Sequence, residues 1–290
     1  LARTPAKPNA YGTAFFTADV RVNTYAKDEQ INPAVAALPD GSAVMAWQSY
    51  GEDGSGWGVY ARHVLASANK RFLQPKEFLV TQATQGNQRD PAIATLASGD
   101  YVIAWISEGE KTSTTADVYA RVFSAGGAPV SEEIGVNTTA GVCGNPAVAP
   151  TGDGFTIVWN QQDATTPTNG LDIWGRSFTG AGMAQEPDFR INTHLYGDQY
   201  APRIAAGPSG SLVVWTSLGQ DGSREGVFGR FLAGGKQVSG GEFQINTTSI
   251  SMQVQPAVVW NGVDRFVVVW SSFVGPTGMD LYGQAYSLNP

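Results

Sequence analysis

The sequence predicts an all-β protein, a five-bladed β-propeller of four-stranded antiparallel blades, and three observations predict it. First, an apolar run ending in Trp recurs as AVMAW to Trp47, YVIAW to Trp105, FTIVW to Trp159, SLVVW to Trp215 and FVVVW to Trp270, at steps of 58, 54, 56 and 55 residues. Second, each run keeps the same company. A Pro-headed segment precedes it (NPAVAAL, DPAIATL, NPAVAP, APRIAAG, QPAVVW), and an aromatic segment follows it (GVYARHV, DVYARVF, DIWGRSF, GVFGRFL, DLYGQAY). A short fourth segment (VRVNT, FLVTQ, IGVNT, FRINT, FQINT) lies before each Pro-headed one, and none of the four has helical periodicity. Four short strands repeated at this period are the blades of a propeller. Third, the chain opens on a fourth-type segment and closes on a third-type one. Pairing the first with the last closes the ring and removes an open sheet edge.

The elements follow in order. Residues 1–17 form an arm, and 18–24 form a closing strand for the last blade. The blades span 25–82, 83–138, 139–193, 194–247 and 248–290. Composition agrees. The chain has 290 residues, 42% of them hydrophobic, with 35 Gly, 16 Pro and eight Trp, enough for a sizeable sheet-rich core with many turns. Only 15% of residues are charged and the net charge is −7, which excludes nucleic acid as a partner. No apolar run is long enough to span a bilayer. Cys143 is the single cysteine, so no intramolecular disulfide forms. Leu1 in place of Met reads as a processed or cut end. Few Lys with abundant Thr, Asn and Gly point to an exported bacterial protein, secreted, at the cell surface or periplasmic.

The repeated residues read as scaffold. The five Trp pack between blades, where burying each contributes about 2–3 kcal/mol. Arg62, Arg121, Arg176 and Arg230 share one position of the third strand, taken by Gln284 in the last repeat. Each is expected to span the gap to the next blade, stack on an aromatic ring and bond loop carbonyls. Asn23, Asn137, Asn192 and Asn246 end the fourth segment and hold the turn after it.

Ligand-binding candidates fall into two sets. Gln30, Gln88, Gln199 and Gln253 stand three residues before the Pro, with Cys143 in the fifth place; Asn32, Asp90, Asn145, Ala201 and Gln255 stand directly before it. The Pro-headed strand is innermost in a propeller, so these residues ring the channel mouth, where amides bind a ligand or hold water and neighbouring backbone. Tyr25, Tyr50, Trp57, Tyr196 and Tyr200, with Phe273, lie in or beside loops of the same face. Aromatics beside amides suit sugar rings and hydroxyls.

Chemical motifs are sparse. Asp53-Gly54-Ser55-Gly56 offers one carboxylate and then glycines, far from a calcium loop's alternating ligands, and reads as a tight turn. Calcium is a minor alternative to no cofactor. His63 and His194 form no zinc-type cluster. The channel ring holds one acid, Asp90, whereas glycoside hydrolysis takes two facing carboxylates; Asp28, Glu29, Asp53, Glu108, Asp163 and Asp198 lie in loops of that face. The order Glu-Asp-Gly-Ser-Gly-Trp does not match a sialidase acidic box.

The pattern Gln-x-x-Pro-Ala-Val-Ala, Asp-Gly, Val-x-Trp-x-Ser, Gly-Val-Tyr-Ala-Arg and Glu-Phe-x-Val-Asn-Thr resembles propeller-type repeats of bacterial secreted and surface proteins, many of them adhesin-like. The resemblance covers about Asp19 to Tyr286 and implies extracellular binding or scaffolding. The architecture is also similar in shape to five-bladed animal lectins of the tachylectin type, whose repeat motif is not present here. The expectation is a non-enzymatic module that binds carbohydrate or a cell-surface protein through one face. The alternatives are a structural subunit that binds another protein, and a glycoside hydrolase or lyase.

Overall fold

The computed structural model describes residues 20–67, 70–139, 141–163, 166, 169–233, 240–273 and 275–287. They fold into five antiparallel sheets, one per repeat. The first contains β1 (Gln30–Ala37), β2 (Ala43–Tyr50), β3 (Trp57–Ser67), β4 (Lys70–Phe72) and β5 (Phe78–Leu79). The second contains β6 (Gln88–Thr95), β7 (Tyr101–Glu108), β8 (Ala116–Phe123) and β9 (Ile134–Gly135). In the third are β10 (Cys143–Thr151), β11 (Gly154–Gln162), β12 (Leu171–Thr179) and β13 (Phe189–Arg190). The fourth holds β14 (Gln199–Gly207), β15 (Gly210–Leu218), β16 (Glu225–Leu232) and β17 (Phe243–Gln244), and the fifth β18 (Gln253–Trp260), β19 (Phe266–Phe273) and β20 (Met279–Tyr286). Strand order follows the sequence in four sheets, as hairpin connections require, and in the first β4 and β5 both pair with β3.

The core lies between sheets. Trp105, Trp159 and Trp215 are fully buried, and Trp47 and Trp270 nearly so. The residues beside each Trp alternate between the two flanks of the sheet. Ala46 and Val59 of the first sheet thus pack with Ile103 and Trp105 of the second, and Val158 and Ile173 of the third with Val213 and Trp215 of the fourth.

Polar clamps join the sheets. Arg62, Arg121, Arg176 and Arg230 donate through Nη1 to the carbonyls of Val22, Val80, Val136 and Ile191 (2.5, 3.1, 2.8 and 2.6 Å). Each acceptor precedes the final pair of a fourth segment, so each Arg reaches back to the preceding fourth segment rather than on to the next blade. Nε bonds a carbonyl of the loop after the third strand, at Gln74, Ser131, Glu186 or Gly240. Three of the guanidinium groups stack over Phe72, Phe123 and Phe178. In the last sheet, where Gln284 stands in the Arg position, the Tyr286 hydroxyl donates to the Ile245 carbonyl instead (3.0 Å).

The expected closing strand is not formed among the described residues. Positions 18 and 19 lie outside them, and Val20–Thr24 pairs with no strand. β20 has no fourth partner. Val20–Thr24 instead lies on the first sheet as the fourth segment of a preceding blade does. It is held there by Arg62 and by Glu77, which accepts from the backbone N–H of Thr24 and Tyr25 (2.8 and 2.7 Å).

Candidate active site

The five Pro-headed strands surround one cavity of about 560 Å³. Their shared local feature is a bulge. Asn32, Asp90, Asn145, Ala201 and Gln255 all adopt left-handed φ (53°, 54°, 50°, 52° and 56°), and the register shifts there in every sheet. The following Pro disfavours the right-handed helical region for these residues and cannot donate to the ladder. The bulge re-aims the strand at the axis. Asn and Asp tolerate this conformation; Ala201 and Gln255 hold it at a cost.

The cavity wall includes Asn32, Asp90, Asn145 and Arg203, on a background of Pro, Ala, Val and Ile. Among the described residues Asp90 is its one acid. Asn32 Nδ2 donates to Asp90 Oδ1 (2.9 Å), and Gln48 Oε1 accepts from the Asp90 backbone N–H (2.9 Å). Arg89 bonds two carboxylates, Asp90 through Nη1 (2.5 Å) and Glu108 through Nε (2.7 Å). Burial pushes the Glu108 carboxyl up, but the bonds from Asn87 and Arg89 outweigh it and hold the group below its ordinary value. Asp90 is thus oriented, and a single guanidinium links it to a second carboxyl group, Glu108, which is not part of the cavity wall.

The sequence candidates divide. Asn32, Asp90 and Asn145 line the cavity, while Ala201 and Gln255 do not. Gln88, Gln199 and Gln253 are fully buried, and their Nε2 atoms donate to the carbonyls of Gln85, Tyr196 and Ile250 (2.9, 3.0 and 2.9 Å). Gln30 does the same to Lys27 (2.7 Å). These amides hold turns, and none of them lines this cavity. The aromatics do not join the cavity either. Tyr50 and Trp57 form an edge-on cross-strand pair at 5.2 Å, Tyr196 is 74% exposed beside His194, and Tyr200 lies off the cavity wall. Tyr25 belongs to a separate side cavity with Thr24, Glu52, Lys76 and Glu77. Asp53 Oδ1 accepts from the Ser55 N–H (3.0 Å), an Asx turn, and among the described residues no group of acids, His and Cys is arranged to hold a metal ion.

Sequence reasoning missed two features. Arg203 follows the Pro where the other four repeats have Ala34, Ala92, Ala147 and Ala257, a break in the repeat that was readable. Glu77, Glu133, Asp188 and Glu242 head the fourth segments and accept backbone N–H groups from the turn of the preceding sheet. The acid recurs in the sequence, but its partners lie about 50 residues away.

No family model matches the chain, and no curated protein does. Solved structures do. The α-L-arabinanase of Penicillium chrysogenum, complexed with arabinobiose, superposes with a TM-score of 0.59 at 13% identity over 90% of this chain and 79% of that one. The α-L-arabinofuranosidase of Fusarium graminearum, also with arabinobiose, gives 0.58 at 14% identity over 93% and 84%. An endo-arabinase of Bacteroides thetaiotaomicron gives 0.50 at 12% identity over 89% and 94%. At such identities the likeness shows a shared propeller-like fold. It also corrects the expectation of a non-enzymatic binding module. The three proteins on which it superposes are carbohydrate-cleaving enzymes by name.

Proposed function

We propose that the chain is a glycoside hydrolase acting on arabinofuranose-containing glycans, with the central cavity as its active site. One observation carries the reading: all five inner strands converge on a polar cavity whose one acid among the described residues, Asp90, is held in place by Asn32 and Arg89. The fold shared with arabinan-cleaving enzymes supports the substrate class. In this reading Asp90 is the carboxylate that faces the glycosidic carbon or activates a water, and Glu108 is the second carboxyl group. Burial works against the Asn87 and Arg89 bonds at Glu108, so weakening of either bond raises its pKa and brings the group closer to giving a proton. The reading includes a closed five-bladed ring in which Val20–Thr24 completes the sheet of β20.

The test is reducing-end release from arabinan and arabino-oligosaccharides. Asp90→Asn keeps the side chain's shape and its capacity to accept from Asn32, and is expected to lower turnover by about 10²–10⁴-fold with the circular dichroism spectrum unchanged. Wild-type turnover in Asp90→Asn would overturn the assignment.

A further inference from the structure

Arg203 is the one cavity residue that the repeat does not explain. The same position is Ala34, Ala92, Ala147 and Ala257 in the other blades, so neither the bulge nor the inner strand needs a long side chain there. Its side chain stands in the cavity wall beside Ile204. Its hydrogen bond goes from Nη1 to the carbonyl of its own neighbour, Pro202 (2.8 Å), and it forms no ion pair among the described residues. A guanidinium has five N–H donors in a rigid fork, so most of its donors have no protein acceptor among the described residues. Partial desolvation lowers its pKa from the ordinary value, the direction for a cation that lacks a counter-charge.

The other charge in the wall is already matched. Asp90 is bonded by Arg89 and Asn32, so the uncommitted charge of the cavity is positive. Neutral sugars need hydroxyl partners, which Asn32 and Asn145 supply. A free guanidinium adds planar, two-pronged recognition of a carboxylate.

We propose that the cavity selects glycans carrying a carboxylate, such as uronic-acid-bearing chains, and that Arg203 is the residue that binds that carboxylate. This rests on the cavity being the sugar site. A second guanidinium nearby does not compete, because Arg89 is occupied by Asp90 and Glu108.

The experiment is calorimetric titration of the intact chain with a short oligogalacturonide and with its carboxyl-reduced, neutral counterpart. A short probe limits the repulsion from the chain's net charge of −7. The acidic sugar is expected to bind about tenfold or more tightly than the neutral one. Arg203→Ala installs the residue of the other four repeats and is expected to fold, to lose the preference and to keep the weaker neutral binding. Arg203→Lys is expected to restore only part of the preference, since a point charge lacks the fork. Equal binding of the two sugars by the wild type, or an undiminished preference in Arg203→Ala, overturns the proposal while leaving the cavity as a sugar site. Binding of neither sugar overturns the carboxylate proposal, and the cavity's role as an arabinofuranose site is then decided separately by the arabino-oligosaccharide assay.

Discussion

At the scale of the residue, the most demanding positions are the five left-handed ones at the channel mouth. An L-residue other than Asn, Asp or Gly in this region crowds its Cβ against backbone, at about 1–2 kcal/mol. The recurrence of the bulge in all five sheets shows that the fold imposes it and that side chains adapt to it. Asn32, Asp90 and Asn145 are suited to it, and Asp90 also gains its orientation from it. Ala201 carries the same φ of 52° with no polar side chain to offset the strain. We therefore expect Ala201→Gly to stabilise the chain. Glycine removes the Cβ strain and returns about 0.5–1 kcal/mol through greater freedom of the unfolded chain, for a net gain of about 0.5–1 kcal/mol. The measurement is the urea midpoint at unchanged m-value. Ala205→Gly, in a regular ladder position opposite Leu212, is the control and is expected to lose stability. A loss in both variants would show that the bulge stores no strain at Ala201.

At the scale of the element, the loops between second and third strands carry a comparison built into the sequence. GEDGSGWG in the first blade and GQDGSREG in the fourth share a backbone: Gly51 N–H bonds Gly56 O as Gly219 N–H bonds Arg224 O, and Asp53 and Asp221 cap Ser55 and Ser223 alike. Glu52 and Gln220 are then equivalent. Gln220 Nε2 donates to Glu242 (2.7 Å), which holds the turn at Thr193 and His194. Glu52 faces Glu77, which holds the turn at Thr24 and Tyr25, and Glu52 Oε2 is buried without a partner. Two carboxylates can adopt the amide's arrangement only by sharing a proton. Burial first, then Glu77 and Asp53, push Glu52 up to about 7. Burial also acts on Glu77, but the bonds from Tyr25 and Thr24 outweigh it and hold that group below its ordinary range. The other groups around the pair are Tyr25 and Asp28 from the entry turn, Tyr60 from β3, Lys76 and Arg62. The sign follows. A folded pKa of about 7 above an ordinary 4.5 means that the folded chain keeps a proton the unfolded chain releases. The pair's stabilisation is complete below about 4.5 and is lost as pH rises through about 7. Glu77 has the opposite sign, adding stability above its ordinary value and losing it in acid, so the clamp is tightest in mildly acidic solution. Amide exchange at Thr24 and Tyr25, corrected for intrinsic rates, is expected to speed up about tenfold between mildly acidic and mildly alkaline pH. Thr193 and His194 should not change. Glu52→Gln should abolish the effect and Gln220→Glu should install it at Thr193 and His194. A parallel change at both turns in the wild type would indicate global loosening and sink the idea. In the second blade Glu110 takes the same loop position but accepts from the Ser107 hydroxyl (2.6 Å), so the pairing depends on more than the acid's place in the repeat.

At the scale of the whole molecule, what was legible in the sequence is what repeats. Five Trp at nearly equal steps marked the sheets, their order and the innermost strand, because each repeat solves the same packing problem. The cavity residues Asn32, Asp90 and Asn145 were legible for the same reason. Arg203 was overlooked because it departs from the pattern; Glu108 was readable as one of several loop acids of that face, but only the folded chain brings it onto Arg89. The last blade shows where repetition stops specifying the outcome. Val259, Val269 and Leu281 are 59%, 44% and 81% exposed, whereas Val214 and Val227, equivalent to the latter two, are fully buried against the following sheet. Val20–Thr24 is a fourth segment without its third strand, and β20 is a third strand without its fourth. In the complete blades the two are joined by one recurrent bond, Val80 N–H to Val59 O, Val136 to Val118, Ile191 to Ile173 and Ile245 to Val227 (2.9, 2.9, 2.7 and 2.8 Å). By that register Val22 belongs to Leu281, and Arg21 lies opposite Tyr282 as Gln244 lies opposite Phe228. Direct neighbours across an antiparallel pair are close enough for a disulfide. Oxidation of Arg21→Cys/Tyr282→Cys is therefore expected to give an intramolecular link, a monomer by mass and a raised unfolding temperature, with the buried Cys143 not competing. A link between molecules would mean that the strand is donated to another copy. The absence of any link would leave β20 an open edge and the exposed flank of the last blade free for a different cover, and either result would overturn closure by the chain's own first strand.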